Sequence, residues 1–563
     1  MYKKMRMAMR YMKPFTLQII GLFLILIVSV SLKFMLPRLA GSYLDGLNSG
    51  QITLAIPIFY ILFTIIREFL NVVNTFISET IGWHASNRMR LVLFRHTVSL
   101  DMDYHKKNLS GEIIERIDGD VSFLANFFST FFINLIGSLL MIGGILVYFY
   151  FYSIELGILF TIILTGIMLI FYLPRKKITS LYMQMREAET TQFGYIEEHI
   201  RGEEDIRGIG KQEYTRHLLS RILDKTHKIT VKARFIGNIP FTGLFTLLNI
   251  GDVLSIAIGV VLYLSNDISI GTIYTFISYV GLLSTPIWIL RVEIDHMQKI
   301  MAAMNRIYSL LDIKSSISSG KLNLLKNSPV SVDLENVSFS YVKNQTVLKN
   351  INLHIEKGKA VGVVGKTGSG KTTLMNLLAK LCQTEQGAIK INGVDIREYN
   401  LDTYYQSVSF IGQSASIISG TLRENLTYGM PLTQDSDIIK SLYLFGMDHW
   451  YKTLKDGLDT VINVNSISAG EAQLIALARL SLQKPSLILL DEITSYVDPK
   501  TEKMIQSAIK AMIKERTIII NAHRITTLEI VDEVVALRNG TLVGHDSRSG
   551  FTDEMLKELI TDA

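Results

Sequence analysis

Residues 360–381 read AVGVVGKTGSGKTTLMNLLAKL, and this stretch decides the fold of the region around it. The apolar run AVGVV has the length of a buried strand, and TLMNLLAKL carries apolar residues at helical spacing. Between them lies Gly365-Lys366-Thr367-Gly368-Ser369-Gly370-Lys371-Thr372, so the order is strand, glycine loop, helix. Glycines let backbone N–H groups close around phosphates at a helix N-terminus. Gly365, Thr367, Gly368, Ser369 and Gly370, with Thr373 just beyond, are therefore the candidate phosphate cradle. Lys371 is placed to reach the terminal phosphates, and the Thr372 hydroxyl can ligate magnesium.

Two later stretches supply groups that such a loop needs. Leu487-Ile488-Leu489-Leu490-Asp491-Glu492 is a buried-strand pattern ending in two carboxylates. Asp491 could hold Mg2+ and Glu492 could polarise a water. Strands ending in acids also occur without function, and the phosphate loop upstream selects the functional reading. Thr517 to Ile520 is a β-branched run leading to Asn521-Ala522-His523, which would set an imidazole beside the γ-phosphate. A lone histidine more often reads as a satisfied structural residue; its place at a strand end after the acids reverses that.

Working back toward the N-terminus, composition changes sharply. At 563 residues the chain needs two or more domains, and its 48% hydrophobic content is crowded into the first 300 residues. Six apolar stretches of spanning length fall at roughly 14–36, 54–77, 127–149, 154–174, 240–264 and 270–291. The connections GSYLDGLNSGQI, YFYS and LSNDIS contain no Lys or Arg, whereas the two long connections are basic. The excess of Lys and Arg places those long connections, and both termini, on the cytoplasmic side. The net charge of +6 is thereby a membrane-face feature and not a nucleic-acid patch. The basic N-terminal stretch resembles a signal peptide, but its apolar run is near spanning length, lacks a small-residue cleavage pattern and is followed by further spans, so it reads as a first membrane helix.

The long connections have helical periodicity, so the spans should continue beyond the bilayer and turn near LDMDYHKKNLSGEIIERIDGDV and EEHIRGEEDIRGIGKQE. Arg67, Glu68 and Asp252 are charges within spans, expected to pair or to face a cavity. Phe127, Phe128, Phe131 and Phe132 could line a greasy cavity or face lipid. Cys382, the single cysteine, excludes an intrachain disulfide and a cysteine-based metal site, and is expected to be buried. The chain thus divides into an all-α six-helix transmembrane domain at 1–310, a polar linker at 311–330, and an α/β domain at 331–563.

The C-terminal domain resembles the nucleotide-binding domain of the ATP-binding-cassette family. Tyr341, in FSY, matches that family's adenine-stacking aromatic, and Gln413, in SFIGQSASIISGTLRENL, matches the glutamine that links magnesium and the transmembrane domain. Ile467-Ser468-Ala469-Gly470-Glu471-Ala472-Gln473 lies where the signature LSGGQ belongs. Ser495-Tyr496-Val497-Asp498 resembles the loop that crosses the dimer interface, through Asp498, and His523 resembles the switch histidine. The first 300 residues resemble the exporter-type six-helix domain, with SGEIIERIDGDV and RGEEDIRGIGKQE similar to its two coupling regions.

The resemblance implies a half-transporter with ATP and Mg2+ as cofactors, in which two cassettes sandwich two ATP molecules and each signature completes the partner's site. The chain departs from the pattern where Ala469 replaces a glycine and Glu471 a glutamine. The added methyl and charge should weaken a γ-phosphate contact, which favours a heterodimer with one impaired site over a homodimer. The expected function is ATP-driven export of a drug-, lipid- or peptide-like substrate in a multi-pass protein of the bacterial cell membrane. No peptidase domain is expected ahead of the first span. An importer of a siderophore or metal chelate with the same fold is the alternative. A nucleotide-gated channel is disfavoured by Glu492 and His523.

Overall fold

The computed structural model describes residues 9–51, 53–265, 267–342, 345–413, 415–430, 433–463, 466–493, 499–513 and 515–560. They form two compact units. The first comprises Met1–Val98 with Ser110–Asp312, and the second Ser99–Leu109 with Ile313–Ala563.

In the first unit, six helices are long and apolar enough to cross a membrane: Lys13–Asn48, Ala55–Val98, Ser110–Tyr152, Ile154–Arg201, Gln212–Leu264 and Ile270–Leu311. Each exceeds the ~20 residues needed for hydrocarbon, as the periodicity of the long connections implies. In lipid, where water drives no helix together, close backbone approach substitutes for apolar burial. Gly41 of the first helix and Gly271 of the sixth provide it: a Cβ on Gly271 would lie 2.0 Å from the Gly41 carbonyl oxygen. Pro37 lies inside the continuous first helix, and hydroxyls of the sixth bond to carbonyls beside it. Tyr279 Oη donates to the Phe34 carbonyl at 2.7 Å, and Thr275 Oγ1 to that of Pro37 at 3.3 Å. Asp45 accepts the Gly271 N–H at 2.7 Å and the Ser269 hydroxyl at 2.6 Å, which sets a carboxylate at the start of the sixth helix.

The phenylalanines of the third helix are neither lipid-facing nor cavity-lining as a group. The helix contains π-type turns at Glu115–Gly119 and Phe127–Phe131. An inserted π residue rotates the faces of the helix on either side of it. Phe127, Phe128 and Phe131 are buried among the helices, and Phe132 is half-buried. The intramembrane charges divide. Arg67 pairs with its neighbour Glu68, which also accepts from Asn71 Nδ2 at 3.3 Å. Asp252 is half-buried, and its Oδ1 has no hydrogen-bond partner among the described residues.

In the second unit, an antiparallel sheet runs in the order Gln345–Ile355, Val332–Val342, Gln386–Ile391, Val394–Asp395. A six-stranded sheet runs in the order Thr541–Ser547, Glu533–Arg538, Ala360–Val364, Thr517–Asn521, Leu487–Asp491, Val408–Ile411. All its pairings are parallel except the antiparallel one with Thr541–Ser547. Its three central strands are buried at every position, as continuous apolar runs in parallel sheets are.

One expectation needs correction, and one segment divides. Within LDMDYHKKNLSGEIIERIDGDV, Ser110 onward is the foot of the third long helix in the first unit, while the turn is made by the short helix Met102–Lys107, which belongs to the second unit. There Asp101 Oδ2 accepts the Ser316 N–H at 2.8 Å and its hydroxyl at 2.6 Å. Cys382 is half-buried and not fully enclosed; that partial burial still pushes its thiol pKa up.

Candidate functional site

Parallel register carries the carboxyl ends of the central strands to one edge. Asn521 pairs with both Val363 and Asp491, so the phosphate loop, the acids and the histidine segment emerge side by side. Ligands of open α/β sheets bind at this edge.

The loop conformation requires its glycines. Gly365 and Gly370 have φ of +155° and +103°, and a Cβ on Gly370 would lie 2.6 Å from Leu348 Cδ2. Gly370 is left-handed and ends the loop where the helix Lys371–Leu378 begins. Lys371 is buried and its Nζ donates to the carbonyls of Gly365 at 2.5 Å and Lys366 at 3.1 Å. Thr367 and Gly368 are exposed at the loop tip, and Thr373 is buried in the first helical turn. Ser369 Oγ is buried without a hydrogen-bond partner among the described residues, a polar atom that a phosphate oxygen would satisfy.

Across from the loop, Thr372 Oγ1 donates to Asp491 Oδ1 at 3.3 Å. Asn521 Nδ2 donates to the same oxygen at 2.5 Å, a positioning contact that the sequence reading missed although Asn521 is the polar end of an apolar strand. Burial pushes the Asp491 pKa up, against the pull of these two donors. Glu492 holds a left-handed backbone, φ +51°, a strained conformation of the kind found at functional sites. Its Oε2 accepts from Gln413 Nε2 at 3.1 Å, and its Oε1 is 2.6 Å from His523 Nε2. Burial and the nearby Lys371 ammonium hold the His523 pKa below its usual value, against the attraction of Glu492 and Asp491. Lys371, Thr372, Gln413, Asp491, Glu492 and His523 are thus gathered at one edge.

Tyr341 stands apart from these acids, partly exposed and edge-on to Phe339 at 4.8 Å. Its Oη accepts from Asn376 Nδ2 at 3.3 Å. Lys106 Nζ lies 5.6 Å from the ring centroid, a neighbour that no local pattern in the sequence announces.

The altered signature has its own geometry. Ser468 is the N-cap of the helix Ala469–Gln483, and Glu471 completes a reciprocal capping box. The Glu471 N–H donates to Ser468 Oγ at 3.2 Å, while Glu471 Oε2 accepts the Ser468 N–H at 2.7 Å and its hydroxyl at 2.8 Å. Ala469 and Gly470 form the first turn beside this box, with Gly470 buried. Ser495, Tyr496, Val497 and Asp498 lie outside the described residues.

Residues 17–287 match the family model described as ABC transporter transmembrane region, and residues 348–495 the one described as ABC transporter. The chain is 29% identical over 565 residues to YknV, an uncharacterized ABC transporter ATP-binding protein of Bacillus subtilis (strain 168), covering 99% of this chain and 92% of that one. It is 25% identical over 556 residues, 95% of each chain, to a Staphylococcus aureus protein provisionally named a multidrug export ATP-binding/permease protein. The fold is similar to that of a bacterial Atm1-family ABC exporter solved with ATP bound, with a TM-score of 0.78 at 19% identity, over 95% of this chain and 96% of that one. With both halves of the architecture matched in order along one polypeptide, the chain belongs to the ATP-binding-cassette transporters, as an exporter-type half-transporter whose ATPase activity is coupled to transport.

Proposed function

We propose that this half-transporter exports a drug-, lipid- or peptide-like substrate across a bacterial cell membrane, with both termini and the cassette cytoplasmic. The observation that carries the reading is the meeting of the phosphate loop with Gln413, Asp491, Glu492 and His523 at one sheet edge, in a chain with six spanning helices.

Gly365, Thr367, Gly368, Ser369, Gly370 and Thr373 hold the phosphates, Lys371 neutralises them, and Tyr341 stacks on adenine. Thr372, Gln413 and Asp491 offer the hard oxygen donors that suit Mg2+, and the 3.3 Å approach of Thr372 Oγ1 to Asp491 Oδ1 fits them to one ion. Bound there, Mg2+ would neutralise charge on the phosphates. Glu492 accepts the proton of the attacking water. His523, whose pKa burial lowers, lies beside Glu492 and meets the γ-phosphate.

Replacing Glu492 by Gln keeps the shape and removes the base. Steady ATP hydrolysis should fall by about 10²-fold or more, with nucleotide binding retained. Near wild-type turnover would place the base elsewhere. Inverted vesicles give the direction: ATP-dependent accumulation inside them supports export, and ATP-dependent loss from them supports the importer.

The chain functions as a dimer, and the signature supports a heterodimer. The Glu471 carboxylate engages the hydroxyl and N–H of Ser468 that would otherwise meet a partner's γ-phosphate, and it adds negative charge there.

A further inference from the structure

Between the fourth, fifth and sixth long helices of the first unit lies a cleft of about 1020 Å³ whose lining includes Arg234 and Arg291. Phe241 and Leu247 also line it, and Phe241 meets Trp288 edge-on at 5.1 Å to form an aromatic wall. The hydroxyls of Thr242 and Thr246 on that wall donate back to the Asn238 and Thr242 carbonyls at 3.3 and 2.9 Å, so they present little polarity to the cleft.

The charge in the cleft has one sign. No Asp or Glu lines it, and neither arginine has an ion-pair partner among the described residues. The Arg291 guanidinium lies between aromatic rings, 5.1 Å from the Trp288 centroid and 5.4 Å from that of Phe171. Aromatic faces hold a cation without neutralising it.

Depth gives the cleft two ends. Residue 291 closes the sixth apolar span, and Arg234 precedes the fifth, which begins near residue 240, by about 9 Å of helix. Phe241 and Leu247 fall within that span. The cationic end is therefore at the cytoplasmic headgroup level, and the apolar end reaches into the hydrocarbon.

We infer that this cleft is where the transporter loads its cargo, and that the cargo is an acidic amphiphile. The anionic headgroup sits between Arg234 and Arg291, and the apolar chain lies along Phe241 and Leu247. The inference rests on the export reading and narrows its drug-, lipid- or peptide-like class to one with a negative head and a greasy tail.

Trp288 reports on the site. In the full-length transporter carrying Trp83→Phe and Trp450→Phe, with any partner half made free of tryptophan, Trp288 is the remaining tryptophan. Reconstituted without ATP in phosphatidylcholine vesicles, its fluorescence should be quenched more strongly by bromo-acyl phosphatidylglycerol than by bromo-acyl phosphatidylcholine at equal mole fraction. The preference should fall about fivefold for each arginine removed in Arg234→Gln and Arg291→Gln. Arg234→Lys with Arg291→Lys, which keeps the charge, should retain most of it and separates lost charge from lost fold.

Equal quenching by the two lipids, or a preference that survives the double Gln change, overturns the inference. Cargo and resident lipid are separated by adding ATP to the otherwise unaltered transporter with headgroup-labelled phosphatidylglycerol: ATP-dependent movement between leaflets supports the inference, and selective quenching without movement, while ATP is being hydrolysed, overturns it. Failure of the export reading would show differently, as absence of ATP hydrolysis by the parent or as transport in the opposite direction, and the quenching measurement needs neither.

Discussion

At the scale of single residues, the cassette site gathers a few groups whose chemistry and mutual positions both matter. Glu492 sits in a left-handed conformation between Gln413 and His523, so its carboxylate is held from two sides. Glu471 closes the capping box and places a negative charge at the signature. Glutamine at the third helical position also closes a capping box, so Glu471→Gln should leave thermal stability within about 0.5 kcal/mol while removing the charge. ATPase activity of the assembled dimer is expected to rise severalfold. An unchanged rate, with stability unchanged, would show that the carboxylate does not impair the signature. Ser468-x-x-Glu471 is a capping-box pattern legible in the sequence as well as a departure from LSGGQ. The geometry adds that the carboxylate is engaged with Ser468.

At the scale of elements, the third and sixth helices are tied by an ion pair between a buried carboxylate and a half-exposed guanidinium that no sequence pattern indicated. Asp120 is fully buried, and Arg306 Nε reaches its two oxygens at 3.1 and 2.9 Å. Removing one partner of such a pair leaves an uncompensated charge, whereas removing both can be nearly neutral. Arg306→Leu should therefore destabilise the protein by about 1–3 kcal/mol, the half-exposed guanidinium lowering the effect, read as a lower unfolding temperature in detergent. Adding Asp120→Leu should recover much of that loss; a double variant as unstable as the single one would mean that packing of the arginine stem, and not charge, is what matters. The third helix also shows where periodicity misleads. Its phenylalanines were legible as apolar, but the π-type turn at Phe127–Phe131 decides which of them face inward.

At the scale of the whole molecule, a half-transporter must pair before its signature can serve a nucleotide. Expressed alone, this chain should give low ATPase activity that rises severalfold on co-expression with a complementary half-transporter bearing an intact signature. A stable dimer of this chain alone with full activity would establish the homodimer. The six spans and the order of phosphate loop, acids and histidine were already fixed along the chain, because hydropathy and motif spacing are properties of contiguous residues. Tertiary structure alone decided that Ser99–Leu109 belongs with the cassette unit, that Asn521 holds Asp491, and that Arg234 and Arg291 share a cleft without a carboxylate. Those neighbours come from different helices and strands, and only packing and sheet register bring them together.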